Sequence, residues 1–350
     1  MLQYSNEVLQ EDLKDILAVN LPYENLKNKS VLITGATGML ASYLVYFFNY
    51  LNQEKKYNIK IYALIRNRKK AEIMFSEILK NKNFVLLEQN IEEKIKLSEK
   101  INWILHLASS ANPRTILEDP VSIIKANTIG TFNVFEIAKK NNAKVFFSST
   151  REVYGEIKDT KYIKESEFGV INFLEDRACY PESKRVAETI CKSYFLQYGV
   201  DYQIARIAHV YGPGMNIEND GRIMSDIISD IVNNRDICLR SEGLALRAFC
   251  YISDAIIGIL TILLKGKMNE VYNLSNESEE ISVRDLANLC INIFQERKIK
   301  VIFAKSDNKS LYTNYKRVGL DNFKLNSLGW KIKIGLKEGI EKTVKSFQEY

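Results

Sequence analysis

The stretch that most limits how this chain can fold is Val31 to Tyr50, twenty consecutive residues without a charge. An apolar run of that length can cross a bilayer as one helix. It can also be a buried strand, a turn and the start of a helix. Thr34-Gly35-Ala36-Thr37-Gly38-Met39-Leu40-Ala41 lies in the middle of it and favours the second reading. Two glycines three apart allow a tight turn and a close backbone approach, and a helix opening there turns its first amides outward. Free N–H groups at a helix N-terminus suit a pyrophosphate. An ordinary glycine turn explains the same residues, so the motif needs support from the rest of the chain.

That support is an alternation of short apolar runs with helical stretches. Strands are expected at 30–34, 59–65, 84–88, 103–107, 144–148 and 202–207. Helices are expected at 40–51, 69–80, 121–141 and 182–198, with 53–58 a polar insertion lengthening the first crossover. Strand-helix alternation at this spacing predicts an α/β fold, a Rossmann-type, doubly wound parallel sheet. Residues 1–28 read as an amphipathic helical extension, with Leu9, Leu13, Ile16 and Leu17 on one face, packing over the domain edge. A dinucleotide-binding domain is expected over 29–210. A smaller C-terminal substrate-binding lobe is expected over 211–350, where Gly212, Pro213, Gly214 and Gly221 crowd together. A strand pair, 249–252 with 271–274, is expected to tie that lobe back to the sheet near 247–275.

Charge adds exclusions. The 49 basic and 43 acidic residues are interspersed, without a block of five like charges, so a mixed solvated surface is favoured over nucleic-acid binding. Five cysteines form no CxxC pair and read as thiols of a reducing compartment, which predicts a cytoplasmic protein. Only His106 and His209 could serve as histidine ligands, so no metal site is expected. Glu7, Glu11, Asp12 and Asp15 interrupt any apolar leader, and no membrane association is expected.

The residue types with reactive chemistry cluster late in the strand-helix region. Tyr180 and Lys184 stand four apart at the start of a helix, hence on one face. An ammonium beside a phenol favours the phenolate, a general base. Ser149 and Thr150 end the preceding strand, where a hydroxyl can hold a reacting oxygen. At the end of the second strand, Arg66 and Arg68 stand where NAD-binding proteins usually carry an acid for the ribose hydroxyls. They favour NADP over NAD, although a solvated basic loop explains them nearly as well.

Taken together, these segments resemble the extended short-chain dehydrogenase/reductases, the NAD-dependent epimerase/dehydratase family, and within it the UDP-glucuronate decarboxylases. The resemblance rests on the glycine turn, with Ala41 where a third glycine usually lies. It also rests on His106-Leu107-Ala108-Ser109 with Pro113, and Asn127-Thr128-Ile129-Gly130-Thr131. Ser148-Ser149-Thr150-Arg151-Glu152-Val153-Tyr154-Gly155 and Arg177-Ala178-Cys179-Tyr180 with Lys184-Arg185-Val186-Ala187-Glu188-Thr189 add to it. Gly212-Pro213-Gly214-Met215, Asn219-Asp220-Gly221-Arg222, and Arg247-Ala248-Phe249 with Tyr251-Ile252-Ser253-Asp254 complete it, so that it runs from about Lys29 to Trp330.

The resemblance implies an enzyme that modifies a nucleotide-diphosphate sugar by transient oxidation at C4. Thr150, Glu152, Tyr180 and Lys184 would be catalytic. Gly35, Thr37, Gly38, Met39, Leu40, Asn90, Ile91, Leu107, Ala108, Ser109 and Asn127, with Tyr180 and Lys184, would hold the nicotinamide cofactor, NAD or NADP. Ser110, Arg151, His209, Arg222, Arg247 and Arg317 would contact substrate. Asn90 stands where the family usually has an aspartate, Arg151 where it has a small hydroxyl or an acid, and His209 where decarboxylases have asparagine. Epimerase, 4,6-dehydratase and keto-sugar reductase are alternatives on the same scaffold, and a non-catalytic NAD(P)-sensing scaffold is a remote one. Homodimerisation through the 121–141 and 182–198 helices is also implied.

Overall fold

A computed structural model describes residues 1–158, 160–218, 220–304 and 318–348. The first half runs α1 (Glu7–Leu17), β1 (Ser30–Thr34), α2 (Met39–Lys55), β2 (Lys60–Ile65), α3 (Arg68–Met74), β3 (Phe84–Glu88) and β4 (Trp103–His106). It continues through α4 (Pro113–Glu118), α5 (Pro120–Asn141), β5 (Lys144–Thr150), β6 (Tyr162–Ile163), α6 (Cys179–Tyr198) and β7 (Tyr202–Ile207). The second half comprises β8 (Val210–Tyr211), α7 (Ile223–Val232), β9 (Ile237–Leu239), β10 (Leu246–Ala248), β11 (Cys250–Tyr251), α8 (Ile252–Lys265) and β12 (Glu270–Leu274). After these come β13 (Glu280–Ser282), α9 (Val283–Ile293), β14 (Val301–Phe303), β15 (Gly319–Leu320), α10 (Phe323–Asn326) and α11 (Leu336–Ser346).

Seven strands form one parallel sheet in the order β12-β7-β5-β4-β1-β2-β3. All five β1 residues are buried, because helices cover both faces, as continuous apolar strands require. The strand order reverses between β1 and β4. Crevices for ligands form at the carboxyl ends of strands at such a point. Of the uncharged stretch 31–50, the first part is β1 and the last part is α2, whose Tyr43, Leu44, Phe47 and Phe48 are fully buried. Burying each such side chain contributes about 1.5–3 kcal/mol. Among the described residues no helix is long and apolar enough to cross a membrane.

Three expectations are corrected. The strands near 249–252 and 271–274 do not pair: β12 joins the main sheet beside β7, whereas β11 pairs in parallel with β8. Both runs are short and apolar, and composition carries no information on which neighbour each will choose. The helix expected over 69–80 ends at Met74. The 53–58 insertion is partly helical, since α2 continues to Lys55, and buried Asn52 then bonds both backbone groups of Ile59, at 2.7 and 2.8 Å.

α1 is tied to elements from both ends of the chain. Asn6 caps it by accepting from the Leu9 amide. Its fully buried Asp12 accepts from Tyr43 of α2 and Tyr251 of β11, each at 2.9 Å, and pairs with Lys342 of α11 at 2.9 Å. Burial pushes the Asp12 carboxyl up, and Lys342 pulls it the other way. A buried charge persists only with partners of this kind.

Candidate active site

β5 and α6 build the reactive part of the site, and β1 and β4 build the part beside it. Tyr180 lies in the first turn of α6, and Thr150 is the last residue of β5. They meet in a cleft of about 340 Å³ whose walls include Met39, Leu40, Thr150, Arg151, Glu152, Tyr180, His209, Arg222 and Arg247. The structure therefore gathers nine of the residues singled out in the sequence. Asn127 and Lys184 lie buried beyond the wall, at 1% and 3% exposure. Ser110 sits at its margin, its hydroxyl accepting from the Asn112 amide at 3.4 Å. Arg317 and Asn219 lie outside the described residues.

The cleft also holds a residue the sequence reading did not assign. Arg177, three positions before Tyr180, pairs with Glu152 at 3.6 Å. Its signal was its place in the same short run as Tyr180. Arg222 forms an ion pair with Asp220, and Arg151 donates to the Val318 carbonyl at 3.1 Å. Arg247 donates to the Leu246 carbonyl at 2.8 Å. His209 adopts a left-handed backbone, φ 45°, a conformation in which asparagine and histidine are enriched among non-glycine residues.

Tyr180 and Lys184 share one face of α6, one turn apart. Lys184 donates to the Ser148 carbonyl at 2.7 Å and lies over the Phe147 ring. Complete burial pushes the Tyr180 phenol up, and Glu152 adds to the rise. A hydrogen bond with Thr150 and the charges of Arg222 and Arg177 oppose it. Burial likewise pulls Lys184 down to about 7, against the upward influence of Glu188 and Cys191. Burial outweighs the neighbouring charges at both groups.

A chain of hydrogen bonds runs from β1 through β4 to α5 and α6 beside the glycine turn. The Thr34 hydroxyl accepts from the Leu107 and Ala108 amides at 3.2 and 3.1 Å, so its own proton goes to His106 Nδ1 at 2.8 Å. Nε2 of His106 then carries the ring proton and faces the Thr131 hydroxyl at 3.2 Å, which in turn donates to the Asn127 carbonyl. Asn127 Nδ2 donates to Ser183 on α6 at 2.9 Å. Burial first, and the Lys184 charge second, pull His106 down to about 3, so it stays neutral.

These residues fit a dinucleotide. Gly35 has φ 65°, and a Cβ there would fall 2.8 Å from the Ala108 Cα, so only glycine permits this approach. Gly38 leaves the N-terminus of α2 without a side-chain cap, whereas Asn67 and Asn112 cap α3 and α4. Ser109 Oγ and Asn127 Oδ1 are buried without a hydrogen-bond partner, which leaves polar atoms for a ligand to satisfy. Ile91 packs on Gly130, where a Cβ would come within 2.9 Å, and Asn90 accepts from the Glu92 amide. Arg66 is exposed at the end of β2, and Arg68 pairs with Glu72 at 2.8 Å.

A glycine turn at the sheet's switch point, beside a buried tyrosine and lysine on one helix, defines a nicotinamide-dependent enzyme of the short-chain dehydrogenase/reductase type. The model of the NAD dependent epimerase/dehydratase family matches residues 31–275, and the chain belongs to that family. Among curated proteins it is 31% identical to UDP-glucuronic acid decarboxylase 1 of Danio rerio, over 91% of this chain and 72% of the relative. It is 30% identical to UDP-glucuronic acid decarboxylase 6 of Arabidopsis thaliana, over 92% of this chain and 89% of the relative. Among solved structures it superposes on a UDP-N-acetylglucosamine 4-epimerase from Methanobrevibacter ruminantium with a TM-score of 0.79, at 22% identity over 92% and 99% of the two chains. A UDP-glucuronic acid 4-epimerase from Bacillus cereus superposes with a TM-score of 0.75, at 20% identity over 91% and 99%.

Proposed function

We propose that the chain is a UDP-glucuronate decarboxylase working through a 4-keto sugar. The observation that carries this reading is the convergence of Thr150, Glu152 and Tyr180 in one arginine-lined cleft, in a chain similar to decarboxylases over nine-tenths of its length. When bound, the nicotinamide supplies an acceptor for the C4 hydride and later returns it. Tyr180 takes the proton of the C4 hydroxyl, Thr150 orients that oxygen, and Lys184 binds the cofactor's ribose and supports the phenolate. Oxidation makes the C5 carboxylate a β-keto acid. The C5–carboxyl bond then breaks, its electron pair moving into the C4 carbonyl. C5 gains a proton in place of the departed CO2, delivered from solvent through Glu152, and Tyr180 returns its own proton to the C4 oxygen as C4 regains its hydride. Arg222 and Arg247, with Arg317, grip the diphosphate or the sugar, as arginine suits phosphate oxygens, and Ser110 and His209 border the sugar.

A 4-epimerase acting on a uronic acid is the second reading, and Arg151 is the observation that favours it. An arginine paired with the substrate carboxylate would stabilise a charge that vanishes as CO2 leaves, and so would slow that step.

The remaining assignments belong to the same reading. Residues 29–210 carry the cofactor, and most of 211–350 carries the nucleotide sugar. NADP is preferred over NAD because Arg66 stands where an acid would hold ribose hydroxyls; calorimetric titration showing tighter NAD binding would overturn this. The free cysteines suit the cytoplasm. Val121, Ile124, Ile129 and Phe132 on α5, with Val186 and Leu196 on α6, are exposed and support a homodimer through these helices. Tyr180→Phe tests the reaction: turnover of UDP-glucuronate should be lost while its affinity stays within a few-fold. Near-normal kcat in that variant would reject the mechanism.

A further inference from the structure

Tyr180, Lys184 and Glu188 recur every four residues along α6, so they share one face of the helix. All three face the last three residues of β5. The Ser148 carbonyl accepts from Lys184, the Ser149 hydroxyl donates to Glu188 at 2.5 Å, and Thr150 lines the cleft together with Tyr180. The Glu188 carboxylate is held from its other side by Arg206 of β7, at 3.0 and 2.7 Å, with both side chains nearly buried. Arg206 itself lies over the Tyr154 ring and donates to the Glu165 carbonyl. A buried ion pair of this kind is weak evidence for stability alone, since apolar residues of similar volume often do as well.

We propose that Glu188 is a positioning residue of the reactive helix face: through Ser149 and Arg206 it holds the strand end that carries the Ser148 acceptor of Lys184, and Thr150, against the helix that carries Tyr180. This inference rests on the function proposed above for its kinetic consequences, but not for its electrostatic one. Lys184 is faced by Glu188 and Cys191 on α6, His106 on β4, and the Phe147 ring and Ser148 carbonyl on β5. Arg206 on β7 stands behind Glu188. Of these, the Glu188 carboxylate is the leading influence that opposes burial and keeps Lys184 cationic. Without it the cation gives up its proton at a lower pH. The alkaline limb of kcat should therefore move to lower pH, because Tyr180 is supported only while Lys184 carries its charge.

The test is a titration of Lys184 in the full-length protein carrying 13Cε-lysine, with the resonance assigned by its loss in Lys184→Arg. In the wild type the midpoint should lie near 7. In Glu188→Gln it should fall by about one pH unit or more, as loss of a nearby opposite charge requires. Glu188→Asp, which keeps the charge, should recover part of that shift. Ser149→Ala should lower kcat while leaving the midpoint in place. Should Glu188→Gln fail to fold, Glu188→Gln/Arg206→Met is compared with Arg206→Met alone, and the midpoint should be lower in the double variant, so that the difference isolates the carboxylate. An unmoved Lys184 midpoint accompanied only by a lower melting temperature would overturn the proposal. A wild-type protein that turns over no sugar nucleotide would defeat the proposed function, while the Lys184 midpoint would still decide the role of Glu188.

Discussion

Replacing His106 with Gln should flatten the acid side of the protein's stability profile. In the folded chain His106 is enclosed between Thr34 and Thr131 and is held neutral, with its pKa pulled from 6.5 down to about 3 by burial and then by Lys184. In the unfolded chain it titrates normally. Between these two values the unfolded state binds a proton that the folded state does not, so stability falls as pH drops. Linkage puts the loss between pH 7 and pH 5 at about 2 kcal/mol, rising to about 4 kcal/mol at pH 3. The assay is urea unfolding followed by fluorescence of Trp103 and Trp330, at pH 5 and pH 7, for wild type and His106→Gln. Carboxylates contribute to both proteins alike, so the difference between their pH slopes isolates the histidine. Equal slopes would refute the buried neutral imidazole, as would a His106 NMR titration near 6.5.

Gly35→Ala should weaken cofactor binding by more than about tenfold by calorimetry, since the new methyl must enter the space of Ala108 in a backbone conformation that alanine resists. Unchanged affinity would mean that the cofactor does not approach this turn. Glu152→Gln should still reduce the cofactor, visible as absorbance of reduced nicotinamide, yet stall before product; completion at the wild-type rate would place the C5 chemistry elsewhere. Phe132→Glu puts a charge on an apolar face that is 49% exposed at that residue. It should convert a dimer to a monomer in sedimentation at micromolar concentration, and a wild type already monomeric there would reject the interface.

The parts of the fold legible in the sequence are those enforced locally. β1 and β3 have uninterrupted apolar cores bounded by polar residues, and their limits follow from composition. The glycine turn is legible because only glycine tolerates the 2.8 Å approach to Ala108. Pairing partners are not local, and so β11 and β12 gave no sign that they would join different sheets.

The same division holds at the site. Tyr180 and Thr150 were recognisable by position, whereas the direction taken by the Lys184 amine depends on a carbonyl that periodicity does not locate. Glu188 had a local signal, the repeated four-residue spacing. Its contact with Ser149 and Arg206 became visible only once β5, α6 and β7 were packed together. Arg177 met Glu152 through the loop between β5 and α6, which carries no regular pattern.

The most direct test of the central claim is mass spectrometry of the product formed from UDP-glucuronate by the cofactor-loaded protein. The account predicts a product lighter by about 44 mass units, the loss of CO2, with no net change in the cofactor's oxidation state. A product of unchanged mass would contradict it in favour of 4-epimerisation, and a loss of about 18 mass units would mark a dehydratase.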